Sequence, residues 1–401
     1  MRKFAAVVLM AILFTTVSCQ KQPEVNDPMQ TESTQAASTK TPASTETPVR
    51  DPYYFNSQIG MWYTVWWDSE QSDPTYFQHH WVKETRIEPV KFGYYATDDE
   101  AKLEYDFRMF TQWGIDYLIL DDTNNHLADS GNIANHINKI FKKAKKMGAD
   151  APKLCFAGGQ PLLQNDEAGM IREMDTFYNY ATRYAEQTYF WNGKPLFVNF
   201  NIPKNYSWQD PQNRFTMRPA GGHTSEGWKT RYQNNLMEIG MYGWVFDKQY
   251  EGSEVYGVTP GFSRSHNGLV TSADPLSREN GKRYQEAWLE AIKTNPKMIV
   301  IASWNDHAEE TGIEAVKIVN GTIEGREYES ENPYYYEQIT QGYLALKTGY
   351  LEGFYYRAES ETQVYRYENG ALKKVSTPSK MTAVIVVPDD YYAWSGVSRN
   401  G

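Results

Sequence analysis

Cysteine is nearly absent from this 401-residue chain, which has only Cys19 and Cys155. That excludes a disulfide framework and any zinc site built from thiolates. Histidine is also scarce, at seven residues. His79, His80 and His126 lack the spacing of a metal site, and no His-Glu-x-x-His run supports zinc hydrolysis. No Gly-x-Ser-x-Gly elbow points to an esterase. No Gly-x-Gly-x-x-Gly follows the first strand-like segment, which weighs against dinucleotide binding. Basic excess is missing too: the formal net charge is −10, which argues against nucleic acid as a partner. The apolar run Phe4 to Phe14 is too short to span a bilayer as an ordinary helix.

That run reads instead as the core of an export signal. Arg2 and Lys3 precede it, and the small residues Thr15, Thr16 and Ser18 lead from it to Cys19. This resembles a bacterial lipoprotein signal over residues 1–19, in which Cys19 is lipidated and becomes the new N-terminus. The expectation is a protein held at the cell surface or outer membrane by lipid alone. Residues 20–50 are rich in Ser, Thr, Pro, Gln and Glu and have almost no large apolar side chain. They cannot bury enough surface to offset their ordering entropy, so they read as a disordered tether. The folded part is expected over residues 51–401. Cys155 lies in the apolar run Lys153 to Ala157 and reads as a buried core residue.

From Ile59 onward strand-like and helix-like segments alternate. Strands are expected at Ile59–Trp67, Ile115–Leu120, Lys153–Ala157, Pro195–Phe200, Tyr242–Phe246, Tyr256–Phe262 and Met298–Ser303. Helices are expected at Asp98–Trp113, with Asp98 as N-cap, and at Asn132–Met147, Glu167–Gln187, Trp228–Ile239, Arg278–Thr294 and Pro333–Leu351. This alternation implies parallel strands with right-handed crossovers, and the count and length suit an α/β fold, a (β/α)8 TIM barrel with long βα loops. A doubly wound open sheet is the competing architecture. The apolar run Ala383 to Pro388 has no assigned place.

In such a barrel the carboxyl ends of the strands open onto the ligand site. Here they gather Trp66, Trp67 and Asp68; Asp121 and Asp122; Gln160; Asn199 and Asn201; Asp247; Arg264; and the cluster Trp304, Asn305, Asp306, His307, Glu309 and Glu310. Carboxylates, amides and aromatics together suit a polyhydroxylated ligand, whose hydroxyls both donate and accept. The 30 Tyr, 12 Trp and 17 Phe fit sugar stacking, and they fit a large core equally well. Asp306 and Glu309 stand three apart, which puts them on one side of a turn. Paired carboxylates raise one another's pKa and so divide acid from base, as glycosidic bond cleavage requires.

The segment Ser303-Trp-Asn-Asp-His-Ala-Glu-Glu-Thr-Gly-Ile-Glu314 resembles the Trp-Asn-Glu-Trp-x-Glu-Gly-Thr-x-Ile-Glu signature of glycoside hydrolase family 99 and its relatives, among them family 71. Gly93-Tyr-Tyr with Asp106 to Asp121, and Ile59 to Trp67, are similar to that family's second and first strand regions. The resemblance implies a (β/α)8 barrel that cleaves α-linked glycans, typically α-mannosides, with no cofactor or metal. It places the family's two acids on Asp306 and Glu309. The first assists attack by the sugar's own 2-hydroxyl, and the second protonates the leaving oxygen and then activates water.

The chain departs from the signature at three positions. Asp306 stands for Glu and is about one methylene shorter, a difference on the scale that decides catalytic positioning. His307 stands for an aromatic, and Glu310 for a glycine. An inverting, water-mediated use of Glu309 with Asp121, Asp122 or Asp306 is therefore open.

The reading is thus a surface-tethered glycoside hydrolase acting on an oligo- or polysaccharide. Asp306 and Glu309 are the catalytic pair. Trp66, Trp67, Asp121, Asp122, Asn199, Asp247, Trp304, Asn305, His307 and Glu310 are substrate-binding candidates. The alternative is a non-catalytic glycan-binding lipoprotein on the same barrel.

Overall fold

The computed structural model describes residues 55–400 except 69–70, 73–80, 83–85, 124–131, 160–165, 200–208, 221–238, 246–248, 250–251, 264–275, 320, 350, 377 and 392–398. Cys19, Gln160, Asn201, Asp247, Arg264, His79, His80, His126 and all but the end of the Trp228–Ile239 segment fall outside the described residues.

Seven parallel strands, joined at β4 by the short antiparallel strand Phe190–Trp191, form one curled sheet: β1 (Gln58–Thr64), β2 (Tyr117–Asp121), β3 (Lys153–Gly158), β4 (Lys194–Asn199), β5 (Thr216–Pro219), β6 (Val255–Val258) and β7 (Met298–Ile301). Their spatial order is β6-β7-β1-β2-β3-β4-β5. The late strand β7 therefore returns beside β1, with Gln58 opposite Met298 and Met61 opposite Ile301. Between β5 and β6 the segment expected as strand Tyr242–Phe246 forms no ladder over its described residues. Its Tyr242 N–H still donates to Pro219 O at 2.9 Å. Its Val245 N–H donates to Thr259 Oγ1 at 3.3 Å.

The strands are apolar almost throughout because both faces of the sheet are covered. On the concave side Trp62, Tyr117, Ile119, Cys155, Leu196, Val198, Val255 and Val300 form one core. Trp62 fills much of it, with its ring centroid 4.4 Å from that of Trp244. Cys155 is buried and free, as its apolar setting implied. On the convex side Met61, Tyr63, Leu118, Leu120, Phe156 and Phe197 meet the helices. Burying each such large side chain contributes roughly 1.5–3 kcal/mol.

The helices are α1 (Glu100–Trp113), α2 (Asn132–Met147), α3 (Glu167–Arg183), α4 (Lys282–Thr294), α5 (Glu327–Glu331) and α6 (Tyr335–Thr348). The cap of α1 is Asp99, one residue later than expected, because its carboxylate accepts from the N–H groups of Ala101 and Lys102, both at 2.9 Å. Asp98 is drawn away to Lys139 Nζ at 2.6 Å. Among the described residues no helix is long and apolar enough to cross a membrane.

After α6 the chain builds something the sequence reading did not assign, a five-stranded sheet that includes β8 (Tyr355–Ala358), β9 (Val364–Glu368), β10 (Ala371–Val375) and β11 (Val384–Val387). The unplaced apolar run is β11, which pairs in parallel with β8. It packs on α6 so closely that a Cβ on Gly342 would lie 2.4 Å from Ile385, which accounts for a glycine inside a helix.

Candidate active site

The residues after β7 fold into a tight loop fastened to the sheet and to itself. Trp304 N–H donates to Trp62 O at 2.8 Å, Ile313 N–H to Trp304 O at 2.9 Å, and Thr311 and Gly312 N–H to Asp306 O, both at 3.0 Å. Asp306 N–H donates to Ser303 Oγ at 2.9 Å. The three-residue spacing of Asp306 and Glu309 serves the turn itself: Asp306 Oδ1 accepts the Glu309 N–H at 2.9 Å. Asp306 is buried, whereas Glu309 is half-buried.

Three motif residues expected to bind substrate also hold the loop in place. Trp304 is 1% exposed and lies against Phe110 and Trp113 of α1, at centroid distances of 4.9 and 5.9 Å. It packs in the convex-side core. Both ends of the Asn305 amide point into the fold: Oδ1 accepts the Thr64 N–H at 2.8 Å, and Nδ2 donates to Tyr95 Oη at 3.3 Å. His307 is 2% exposed, with Nε2 3.0 Å from Glu314 Oε2. A Cβ on Gly312 would come within 3.0 Å of its ring, so the glycine leaves room for it. Trp67 belongs to the same layer. It stacks on Trp81 at 4.1 Å, and its indole N–H donates to Thr64 Oγ1 at 2.7 Å and Asn305 O at 3.0 Å. Trp67, Trp304, Asn305 and His307, expected as substrate-binding residues, are thus buried and engaged within the fold.

Beneath the loop lies a buried ionic cluster that the sequence reading did not find. Lys102 Nζ sits 2.5 Å from Asp106 Oδ2 and 2.9 Å from Glu314 Oε1. Tyr95 Oη donates to Glu314 Oε2 at 2.7 Å, and Tyr63 Oη to Asp106 Oδ2 at 3.0 Å. Burial alone would lift Glu314, but the Lys102 charge and the His307 hydrogen bond hold it down to about 2. Asp106 is lifted by burial to about 6 against the pull of Lys102. Burial lowers His307 against the opposing pull of Glu314. A signal was available in α1: Lys102 and Asp106 stand four apart on the face that carries Leu103 and Phe110, so the apolar stripe contains a charge pair.

The carboxyl rim of the sheet carries the other acids. Asp121 ends β2 with the alternation of Tyr117 and Ile119, which line the concave core, so its side chain points into the mouth. It is 1% exposed. Its Oδ1 accepts from Thr123 N–H at 3.2 Å and Thr123 Oγ1 at 2.8 Å. Its Oδ2 has no partner among the described residues. Burial pushes Asp121 up to about 7 against the Thr123 hydrogen bonds, and the charge of Glu309 adds to the rise. Asp122 is also buried, with its N–H on Ala157 O at 3.1 Å. Trp66 is 5% exposed, and its indole nitrogen has no partner among the described residues.

Asn199 has the alternation of Phe197, whose ring lies 5.6 Å from Phe177 of α3. That places it on the convex side, away from the mouth. Both its amide atoms are buried without partners among the described residues. Near it, at the end of β3, Glu173 Oε2 accepts the Gly159 N–H at 3.1 Å, and burial raises Glu173 to about 8.

Glu310 occupies the family's glycine position at φ +52, in the left-handed region. Its carbonyl accepts from Arg278 Nη2 at 2.7 Å. Glu310 and Ser263, whose N–H donates to Glu309 O at 2.9 Å, line a cavity of about 520 Å3. No group of three or more His, Cys, Asp or Glu side chains able to hold a metal occurs among the described residues.

No protein-family model matches the sequence, and no curated protein matches it. Solved structures do. The glycoside hydrolase family 99 endo-α-mannosidase from Bacteroides thetaiotaomicron, in complex with bis-tris-propane, is 17% identical with a TM-score of 0.53, over 74% of this chain and 98% of that one. A second structure of that enzyme gives 15% identity and a TM-score of 0.49 over 72% of this chain and 99% of that one. A glycoside hydrolase-like protein gives 12% and 0.45 over 74% and 97%. At such identities the likeness speaks for the fold, and this chain has a family 99-like glycosidase fold.

Proposed function

We propose that this protein is a glycoside hydrolase that cleaves α-linked, mannoside-type glycans, with Glu309 as the proton donor to the leaving oxygen. One observation carries the reading: Glu309 is the partly buried acid of the loop after β7, and its charge acts on the buried Asp121 carboxylate at the sheet mouth. Two interacting acids at the carboxyl end of a parallel sheet are what glycosidic cleavage uses. The fold likeness supports the same class. In this reading residues 240–245 supply the remaining stave of a (β/α)8 barrel, supported by the bonds of Tyr242 and Val245 to either side.

The test is product analysis by NMR on α-mannan, α-glucan and N-glycan fragments. Glu309→Gln should lower kcat about 10²–10⁴-fold, the range for loss of a general acid, with folding unchanged. The second reading, a glycan binder without turnover, is favoured by Asp306, whose shorter carboxylate is engaged with the Glu309 backbone. Binding without product in both wild type and Glu309→Gln would decide for it.

A further inference from the structure

We infer that the seam between α4 and the C-terminal sheet holds a second, non-catalytic site, which binds a neutral oligosaccharide. A cavity of about 580 Å3 lies there, bordered by α4, α5, α6, β8 and β11. Among the described residues, none of the loop after β7 borders it, so it is separate from the candidate active site. The choice of glycan probes rests on the reading of the chain as a glycosidase; the geometry of the seam does not.

The turn before α4 is built around two tyrosines of this cavity. Glu279, Asn280 and Gly281 stand at φ +48, +51 and +86, all left-handed. Two successive residues other than glycine rarely hold that conformation, because Cβ crowds the following carbonyl. Here it brings Asn280 Oδ1 to the Tyr328 N–H at 3.1 Å. It also sets Gly281 against Tyr335, where a Cβ would lie 2.7 Å from ring atom Cε1. The rings of Tyr328 and Tyr335 meet edge to face at 5.6 Å and 83°. Across the seam Gln285 Oε1 accepts the Val386 N–H at 3.2 Å, which ties α4 to β11. The walls are fastened to one another, as in a preformed ligand pocket. Backbone strain kept at a turn that lines such a pocket points to function.

The lining selects a sugar. Tyr328 is half-buried and offers a flat ring to a C–H face. Its hydroxyl and Gln285 Nε2 have no hydrogen-bond partner among the described residues, so they are open to sugar hydroxyls. The charges are already matched. Lys282 Nζ lies 3.6 Å from Glu279 and 3.8 Å from Glu286, and Glu359 lies 2.7 Å from Lys293. Arg357 Nη1 donates to the carbonyls of Ala358, Glu359 and Glu361. A ligand of one sign meets no field to draw it in. An apolar ligand meets only Leu289 and Val386 besides the two rings.

The bland role for the two tyrosines is to pack the seam, and that role predicts no response to glycans. Fluorine NMR separates the two. Protein labelled with 3-fluorotyrosine and carrying Glu309→Gln, to suppress turnover, is titrated with neutral α-mannan and α-glucan oligosaccharides and with polygalacturonate as a charged control. Tyr328→Phe and Tyr335→Phe assign the two signals. Both should shift along one saturating curve with a neutral oligosaccharide. Read from the Tyr335 signal, Tyr328→Leu, which removes the ring, should weaken binding about threefold to tenfold. Tyr328→Phe, which keeps the ring, should bind like the parent.

Signals that no neutral glycan moves, or that only polygalacturonate moves, overturn the site. So does unchanged affinity in Tyr328→Leu. If that variant fails to fold, the titration of the parent still decides. The two readings also fail separately. Glycan cleavage by wild type with both tyrosine signals still would remove the seam site and leave the glycosidase. Shifted signals in a protein that cleaves nothing would do the reverse.

Discussion

Two sets of buried polar groups in this fold are treated in opposite ways. Under the loop, Lys102, Asp106, Glu314, Tyr95, Tyr63 and His307 satisfy one another, with only Asp106 Oδ1 left over among the described residues. At the carboxyl rim, Asp121 Oδ2, Glu173 Oε1 and both amide atoms of Asn199 are buried and unpaired among the described residues. A paired buried charge fixes a conformation, whereas an unpaired buried polar group costs about 1–3 kcal/mol. The lower cluster thus serves as a clamp, whereas the rim carries buried polar groups whose cost the rest of the fold offsets.

Breaking the clamp should give the largest effect. Lys102→Met leaves Glu314 and Asp106 buried beside one another without their cation. The expected loss is about 3–5 kcal/mol in urea unfolding, the range for removing one partner of a buried pair. Adding Glu314→Gln should restore part of it, since one stranded charge is then gone. A loss under about 1 kcal/mol for Lys102→Met would mean that the cluster is wet and holds nothing. The depressed Glu314 also sets a pH window. Its folded value of about 2 lies below the ordinary 4.5, so its contribution is present above about 4.5 and is lost as pH falls toward 2.

The rim should respond with the opposite sign. Glu173 is raised from 4.5 to about 8, so the folded state keeps a proton that the unfolded chain has released. The penalty builds as pH rises from about 4.5 to 8 and is full above that. Glu173→Gln should therefore leave stability near wild type at pH 5 and raise it by about 2–4 kcal/mol at pH 9. Thermal unfolding at the two pH values reads this directly. Equal shifts at both would mean that the effect is packing and not charge.

The contrast also marks where the sequence was readable. Strand ends stood out because apolar runs stop at polar residues, as at Leu120–Asp121 and Ile301–Ser303, and the loop of chemistry after β7 followed from them. Which members of that loop face outward did not follow. Trp304, Asn305 and His307 have the residue types of a sugar site, but their partners come from Trp113, Tyr95 and Glu314, and no local pattern encodes those contacts. The β9–β10 hairpin was legible and missed: Asn369-Gly370, at φ +53 and +81, is a strong short-range hairpin signal. Tyr242–Phe246 was read as a strand on composition, yet over its described residues it makes only isolated bonds to either neighbour, which periodicity cannot foresee.

The smallest effect tests whether the rim stores backbone strain as well as polar cost. Glu310 holds φ +52 where the related signature has glycine, and a side chain there costs about 1 kcal/mol or more. Substitution to glycine alone would mix three changes: the relief of strain, the greater entropy of the unfolded chain, and the loss of a carboxylate that interacts with Arg278 and Arg326. Substitution to alanine loses the same carboxylate and keeps the strain. The difference between Glu310→Gly and Glu310→Ala therefore isolates the backbone. Glycine should be the more stable of the two by about 1 kcal/mol, because at a left-handed position the strain relieved exceeds the entropy lost. If alanine proves equal or better, the chain at 310 is not held left-handed in solution, and the rim's cost lies in its unpaired polar groups alone.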